Sequence, residues 1–269
     1  MANPMRVDKW EYLPALGGFG QECPLDDYTA FERNRQFRWV YDKYQLHERM
    51  NDAASFIEEI PYFNYTSTAF ITKPRISLNG LARRVKEATT QEVPPGYVAQ
   101  EYLQGIYRST DYLVTEQTSQ LLYSYRARAG HLGEFNLFWR DNREPLISQN
   151  LAYLLWAEGY RGYLNIETIG EDILEAHLRP ALQFWDRPKY SIIFRKKTDA
   201  VPELDPDFEP ALNIESVKSV QRCWKPGCSL SDTDPRDSNF RFLVVNADNL
   251  RDGYYFGNIY ASQITWRDV

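Results

Sequence analysis

The chain is 269 residues long with 43% hydrophobic content, enough to bury the core of one large domain or two small ones. Its formal net charge of −6 argues against a general nucleic-acid binder, whose affinity would rest on a surplus of Lys and Arg. No apolar run approaches a membrane span, the N-terminal MANPMRVDKWEY lacks a signal peptide's apolar stretch, and the odd set Cys23, Cys223 and Cys228 suits a reducing compartment, so a soluble, cytoplasmic protein is expected.

Residues 1–28 read as irregular, since the cluster Gly17, Gly18, Gly20 is followed by no helix pattern. From Thr29 to Asn51 helix formers dominate. Leu46 and Met50 lie four apart, as do Val40 and Tyr44, so at least the part from Asp42 onward is expected to be helical. Phe70 to Lys73 has the β-branched character of a strand, stopped by Pro74; Ser77-Leu78-Asn79-Gly80 reads as a turn, and Leu81 to Ala88 as a helix with Arg83, Arg84 and Lys86 outward. Strands are expected at Tyr97 to Leu103, ended by Gly105, then at Tyr112 to Thr115 and Leu121 to Arg128. Leu146 to Glu158 resembles a helix closed by Gly159. After Asp186 the composition turns acidic and proline-rich, with short strands at Ser191 to Arg195 and Phe240 to Val245, which points to a subdomain packed on the main body.

The segment Asn165 to Pro180 carries the strongest functional signal. If Gly170, Glu171 and Asp172 form a three-residue hairpin loop, Ile169 meets Ile173, Thr168 meets Leu174 and Glu167 meets Glu175. Side chains alternate along a strand, so His177 and Arg179 follow Glu175 on one face while Ile166, Leu174 and Leu178 point to a core. Two opposed carboxylates destabilise a ladder unless something compensates, and a divalent cation is the simplest compensation. On this reading, removing one of the two charges costs activity but little stability.

In order along the chain come Lys43 at a helix start, Lys73 at a strand end before a Ser/Asn/Gly turn, Gln100-Glu101-Tyr102-Leu103 ahead of Gly105, then Asp111, Arg126, Arg128 and the acidic hairpin. This order resembles the ATP-grasp superfamily over roughly Val40 to Asp186. Ile71 to Gly80 is similar to its strand-lysine and phosphate loop, Val98 to Gly105 to its hinge strand, and Glu175-Ala176-His177-Leu178-Arg179 to its Glu-x-Asn-x-Arg metal signature, with His177 in the Asn place. The resemblance implies an α+β ATP-grasp fold, two α+β subdomains gripping ATP. About forty residues precede Lys43, too few for a full pre-grasp domain. The implied division is an N-terminal extension over 1–39, a core with the nucleotide and metal site over 40–186, and a C-terminal subdomain over 187–269.

The resemblance also assigns roles. Lys43, Lys73, Ser77, Asn79 and Gly80 would hold the phosphates of ATP, and Gln100, Glu101, Leu103 and Asp111 the rest of the nucleotide. Glu167, Glu175 and His177 would hold Mg2+, or a softer ion such as Mn2+ given the imidazole. Arg126, Arg128 and Arg179 would hold carboxylate or phosphoryl oxygens of the substrate, for which a guanidinium fork is suited. The implied activity is an ATP-dependent ligase that activates a substrate carboxylate as an acyl phosphate for attack by an amine. A small-molecule kinase and a non-catalytic nucleotide-binding or interaction module are the alternatives. Its partners would be ATP, a small-molecule or peptide carboxylate, an amine and a possible second subunit, with no membrane.

Overall fold

The computed structural model describes residues 24, 27–50, 57–58, 70–78, 86–87, 93–128, 137–141, 143–181, 189–194, 216–223, 242–249 and 252–253. The chain divides into two compact units, one of Phe19–Glu134 with Asp141–Ala181, the other of Met1–Gly18, Phe135–Arg140 and Leu182–Val269.

The first unit opens with helix α1 (Asp27–Arg33), a 3-10 segment (Arg35–Tyr41) and helix α2 (Lys43–Met50). Asp42 starts α2: its Oδ1 accepts the otherwise orphaned N–H groups of Tyr44 at 3.1 Å and Gln45 at 3.2 Å. Arg75 grips the same carboxylate at 2.8 Å and 2.7 Å, and the Lys43 N–H donates to the Arg75 carbonyl at 3.0 Å, which fixes the root of Lys43. Strands β1 (Ile57–Glu58), β2 (Phe70–Pro74), β3 (Lys86–Glu87) and β4 (Tyr97–Glu101) form a small antiparallel sheet in the order β1-β4-β2-β3. Lys86 and Glu87 were expected in a helix; they are strand residues opposite Thr72 and Ile71, because the open edge of β2 offers them ladder hydrogen bonds. The remainder of that expected helix, except for these two residues, lies outside the described residues.

Strands β5 (Ile106–Val114) and β6 (Ser119–Arg128) follow, then β7 (Leu137–Asp141), of which only Asp141 falls in this unit. Helix α3 (Leu146–Ala157) begins at an extended Pro145 and ends before Gly159, whose φ of 89° only glycine adopts readily. Strands β8 (Gly162–Ile169) and β9 (Asp172–His177) complete an antiparallel order β6-β5-β8-β9.

One face of these four strands is the core. Leu164, Ile166, Ile173 and Ala176 cluster there with Leu151 and Leu155 of α3 and with Ala30, Phe37, Trp39, Val40, Tyr41 and Leu46. Ala30, Phe37 and Trp39, from the stretch read as an extension over 1–39, pack in this cluster with the sheet and α3. The other face is polar although buried: Ser109, Asp111 and Asn165 are each at most 1% exposed, and Asn165 Nδ2 donates to Ser109 Oγ at 2.8 Å.

The β8–β9 hairpin departs from the expected register. Ile169 faces Asp172 and Thr168 faces Ile173, so the loop is the two residues Gly170 and Glu171, with Gly170 at φ 63°. A register shift follows, Leu174 becomes the extra residue of a bulge, and Glu175 returns opposite Glu167. A two-residue loop matches the twist of the strands it joins, and the bulge absorbs the residue that a three-residue loop would have held. Ile173, and not Leu174, therefore enters the core.

The second unit contains β10 (Tyr190–Phe194), β11 (Val217–Cys223) and β12 (Phe242–Ala247). β12 pairs with both β10 and β11, and β10 with β7, all antiparallel. Phe138, Ile192, Val245 and Ala247 are its buried apolar residues among those described.

Candidate metal and nucleotide site

The hairpin places Glu167 directly opposite Glu175 and Asn165 opposite His177. His177 Nε2 lies 4.0 Å from Glu167 Oε1 and 3.8 Å from Glu175 Oε1, and ligand atoms of the three residues lie within 4.8 Å of one another. Burial raises the Glu167 carboxyl, and the facing Glu175 raises it further; Tyr107, which pairs with Ile169 two residues along β8, donates a hydrogen bond to it. Burial acts on Glu175 in the same sense, but Lys43, His177 and Lys73 outweigh it and bring Glu175 down to about 2.

Two lysines from separate elements converge on this carboxylate. Lys43 Nζ stands 3.2 Å from Glu175 Oε2 and donates to Ser77 Oγ at 2.7 Å, while Ser77 itself is 3.4 Å from the same oxygen. Lys73 Nζ donates to the carbonyl of Leu174 at 3.0 Å, the residue that the bulge exposes for this purpose. Burial, helped by the charge of Lys43, lowers the Lys73 ammonium to about 7. The divalent cation expected between the glutamates is thus not the only compensation in the fold: Lys43 already offsets Glu175 and leaves Glu167 as the disfavoured charge.

Behind the hairpin, Asp27 gathers the remaining cations. Its Oδ1 lies 2.9 Å from His177 Nδ1 and 2.7 Å from Arg179 Nε, and its Oδ2 accepts from Arg179 at 2.8 Å. Burial by itself raises Asp27, yet His177 and Arg179 hold it well below the usual carboxylate range. Conversely, burial lowers His177 but Asp27 more than restores it, leaving the imidazole above its ordinary value.

The arrangement of strands and helices has a counterpart among solved structures. An L-amino acid ligase from Bacillus licheniformis aligns over 89% of this chain and 74% of its own, with TM-score 0.52 and 11% identity. This chain has the ATP-grasp fold. A protein of Archaeoglobus fulgidus assigned to the ATP-grasp superfamily aligns with TM-score 0.45 and 14% identity over 78% of this chain, which spans 65% of that protein's length. N5-carboxyaminoimidazole ribonucleotide synthetase from Thermus thermophilus aligns with TM-score 0.47 and 11% identity, over 86% of this chain and 74% of its own. No family model matches the sequence, and no curated protein matches it significantly. Among the described residues no helix is long and apolar enough to cross a membrane.

Within the ATP-grasp fold, Lys43, Lys73, Ser77, Glu167, Glu175 and His177 come together as one cluster. Gln100 joins them from β4: its Nε2 reaches the Ile173 carbonyl at 3.5 Å, and its buried Oε1 has no hydrogen-bond partner among the described residues. Glu101 and Leu103 are partly exposed at the end of that strand. Asn79 and Gly80 lie outside the described residues. Asp111 is wholly buried and raised to about 7 by that burial; its Oδ1 accepts the Ala181 N–H at 3.0 Å, and Tyr123 and Asn165 hydrogen-bond it from neighbouring strands. It ties the chain after the hairpin to the sheet.

The three arginines take different places. Arg126 sits opposite Arg108, which in turn faces Thr168, so it belongs to the face away from Glu167. Its Nε is 3.6 Å from Asp141, which also takes Arg108 at 2.7 Å. Arg128 pairs with Ile106 and shares that register; its side chain lies outside the described residues. Arg179 is near the site, and Asp27 engages its guanidinium in a bidentate pair. Asp27 itself is the site residue that sequence reasoning missed. It lies 150 positions from His177, in a segment with no pattern that marks a ligand.

Proposed function

We propose that this protein is an ATP-dependent ligase, activating a carboxylate as an acyl phosphate for capture by an amine. The observation that carries this reading is the meeting of Lys43 and Lys73 at Glu175, beside Glu167 and His177. Two buried ammonium groups on different elements suit a triphosphate, whose charge they match from two sides. The fit of a nucleotide is supported further by the buried Gln100 Oε1, which lacks a donor such as an exocyclic amine would supply. Glu167, Glu175 and His177 would hold a divalent cation, which when bound neutralises phosphate charge that develops during phosphoryl transfer.

The chain's own residues do the preparing. Lys43 and Ser77 keep Glu175 ionised and aimed, Tyr107 steadies Glu167, and the bulge at Leu174 anchors Lys73. When phosphates arrive, Lys43 exchanges one anionic partner for another, so the cost of bringing it into a buried site is already met by the fold. The fold shared with the L-amino acid ligase makes amino acids the first substrates to try, as both carboxylate and amine.

The test is a screen of amino-acid pairs and small carboxylates for substrate-dependent ADP release with magnesium or manganese, with products read by mass spectrometry. A condensed product with stoichiometric ADP supports the ligase. A stable phosphorylated product identifies a kinase, and ATP binding without substrate-dependent turnover identifies a binding module; either result overturns the ligase reading.

A further inference from the structure

The imidazole at the cation site is held in a way that the reading above does not require. Magnesium favours an all-oxygen shell, whereas an imidazole nitrogen suits first-row transition dications, and carboxylates are ligands that manganese among them also accepts. His177 is 5% exposed, and its Nδ1 is committed to Asp27 Oδ1 at 2.9 Å. A carboxylate on the far nitrogen is the arrangement that fixes tautomer and ring orientation in metal-binding histidines. Asp27 is itself immobilised by Arg179 at 2.7 Å and 2.8 Å, and the edge of the Tyr41 ring flanks the imidazole at a centroid distance of 6.1 Å.

The other nitrogen is kept available. Among the described residues Nε2 has no hydrogen-bond partner, and both glutamate oxygens that face it are beyond hydrogen-bond reach, at 4.0 Å and 3.8 Å. Glu175 divides its two oxygens accordingly: Oε2 serves Lys43 and Ser77, and Oε1 is the one turned to His177. An imidazole serving only as a counter-ion for Asp27 would be redundant, because Arg179 already engages both oxygens of that carboxylate.

We propose that the Glu167–Glu175–His177 set binds a first-row transition dication, such as Mn2+, in preference to magnesium, and that Asp27 is the positioning residue which presents His177 Nε2 to it. This rests on the reading of the cluster as a nucleotide-and-cation site, and the experiment separates the two.

The full chain is titrated with Mn2+ followed by electron paramagnetic resonance, with and without a non-hydrolysable ATP analogue, and Mg2+ is used as competitor. Spin-echo modulation reports whether a coordinated 14N is present. Mn2+ should bind at least about tenfold more tightly than Mg2+, with nitrogen modulation. His177→Asn should retain a cation, lose the modulation and lose the preference. Asp27→Asn should weaken Mn2+ by about 10-fold to 100-fold, the usual effect of losing an outer-shell partner. Should that variant fail to fold, the wild-type spectrum and His177→Asn still decide. Equal affinities for the two ions without nitrogen modulation would overturn the inference and leave the nucleotide reading intact. Nitrogen modulation together with no binding of the ATP analogue by calorimetry would support the metal inference and overturn the nucleotide reading.

Discussion

The two glutamates that face each other across the hairpin should respond in opposite ways to loss of charge. Glu175 is held from an ordinary 4.5 down to about 2, against the raising effect of burial, by Lys43 first and then by His177 and Lys73. At about 1.4 kcal/mol per unit this displacement corresponds to a ceiling of roughly 3 kcal/mol at neutral pH. The Glu175 side chain is 26% exposed and that of Lys43 5%, so solvent screens part of it, and about 2 kcal/mol is expected to be lost in Glu175→Gln. Glu167 is raised instead, by burial and then by Glu175, so Glu167→Gln removes a repulsion and should leave the metal-free protein as stable as wild type or more stable by up to about 1 kcal/mol. The sign with pH follows from proton counts. Between 4.5 and about 2 the unfolded chain binds more protons at Glu175 than the folded one, so that contribution is complete above 4.5 and fades as pH falls toward 2. Urea denaturation with a chelator at pH 7 and at pH 3 measures both variants against wild type. A Glu175→Gln protein as stable as wild type at pH 7, or a Glu167→Gln protein that loses as much, would refute the asymmetry and with it the assignment of Lys43 to Glu175.

Lys73 is lowered from 10.5 to about 7, so between these values the unfolded chain holds the extra proton and stability should rise with pH; Lys73→Met should flatten that rise in urea titrations and, in calorimetry, weaken ATP binding at least about tenfold. Asp27→Ala strands Arg179 and His177 without their carboxylate, and denaturation should show a loss of about 3–5 kcal/mol, against a smaller loss for Asp27→Asn. Gly170→Ala should cost about 1 kcal/mol, because φ is 63° but a Cβ there meets nothing within 4 Å. Gly162→Ala should cost more, since the new Cβ would stand 2.8 Å from the Tyr160 hydroxyl, which donates to the Tyr163 carbonyl at 2.5 Å.

The placement of the hairpin's polar side chains was legible because it is written in local periodicity. The two-residue repeat of a strand puts Glu175 and His177 on one face without reference to anything distant, and a glycine followed by a polar pair marks the reversal that brings Glu167 opposite. The order of Lys43, Lys73, Gln100 and the hairpin also resembles the ATP-grasp superfamily, whose fold this chain has. What the sequence left open depends on register and on pairings between distant segments. The bulge at Leu174 decides which of Ile173 and Leu174 enters the core, and loop and bulge trade one residue without changing the pattern of side chains around Glu175. Arg126 is placed on the far face by its pairing with Arg108, a register that its own neighbours do not encode. Asp27 belongs to the site only because helix α1 joins the core beneath the hairpin and brings a carboxylate within 2.9 Å of His177 across 150 positions of chain. Alternation and turn chemistry act over a few residues, whereas the partner of a buried charge is chosen by the packing of the whole unit.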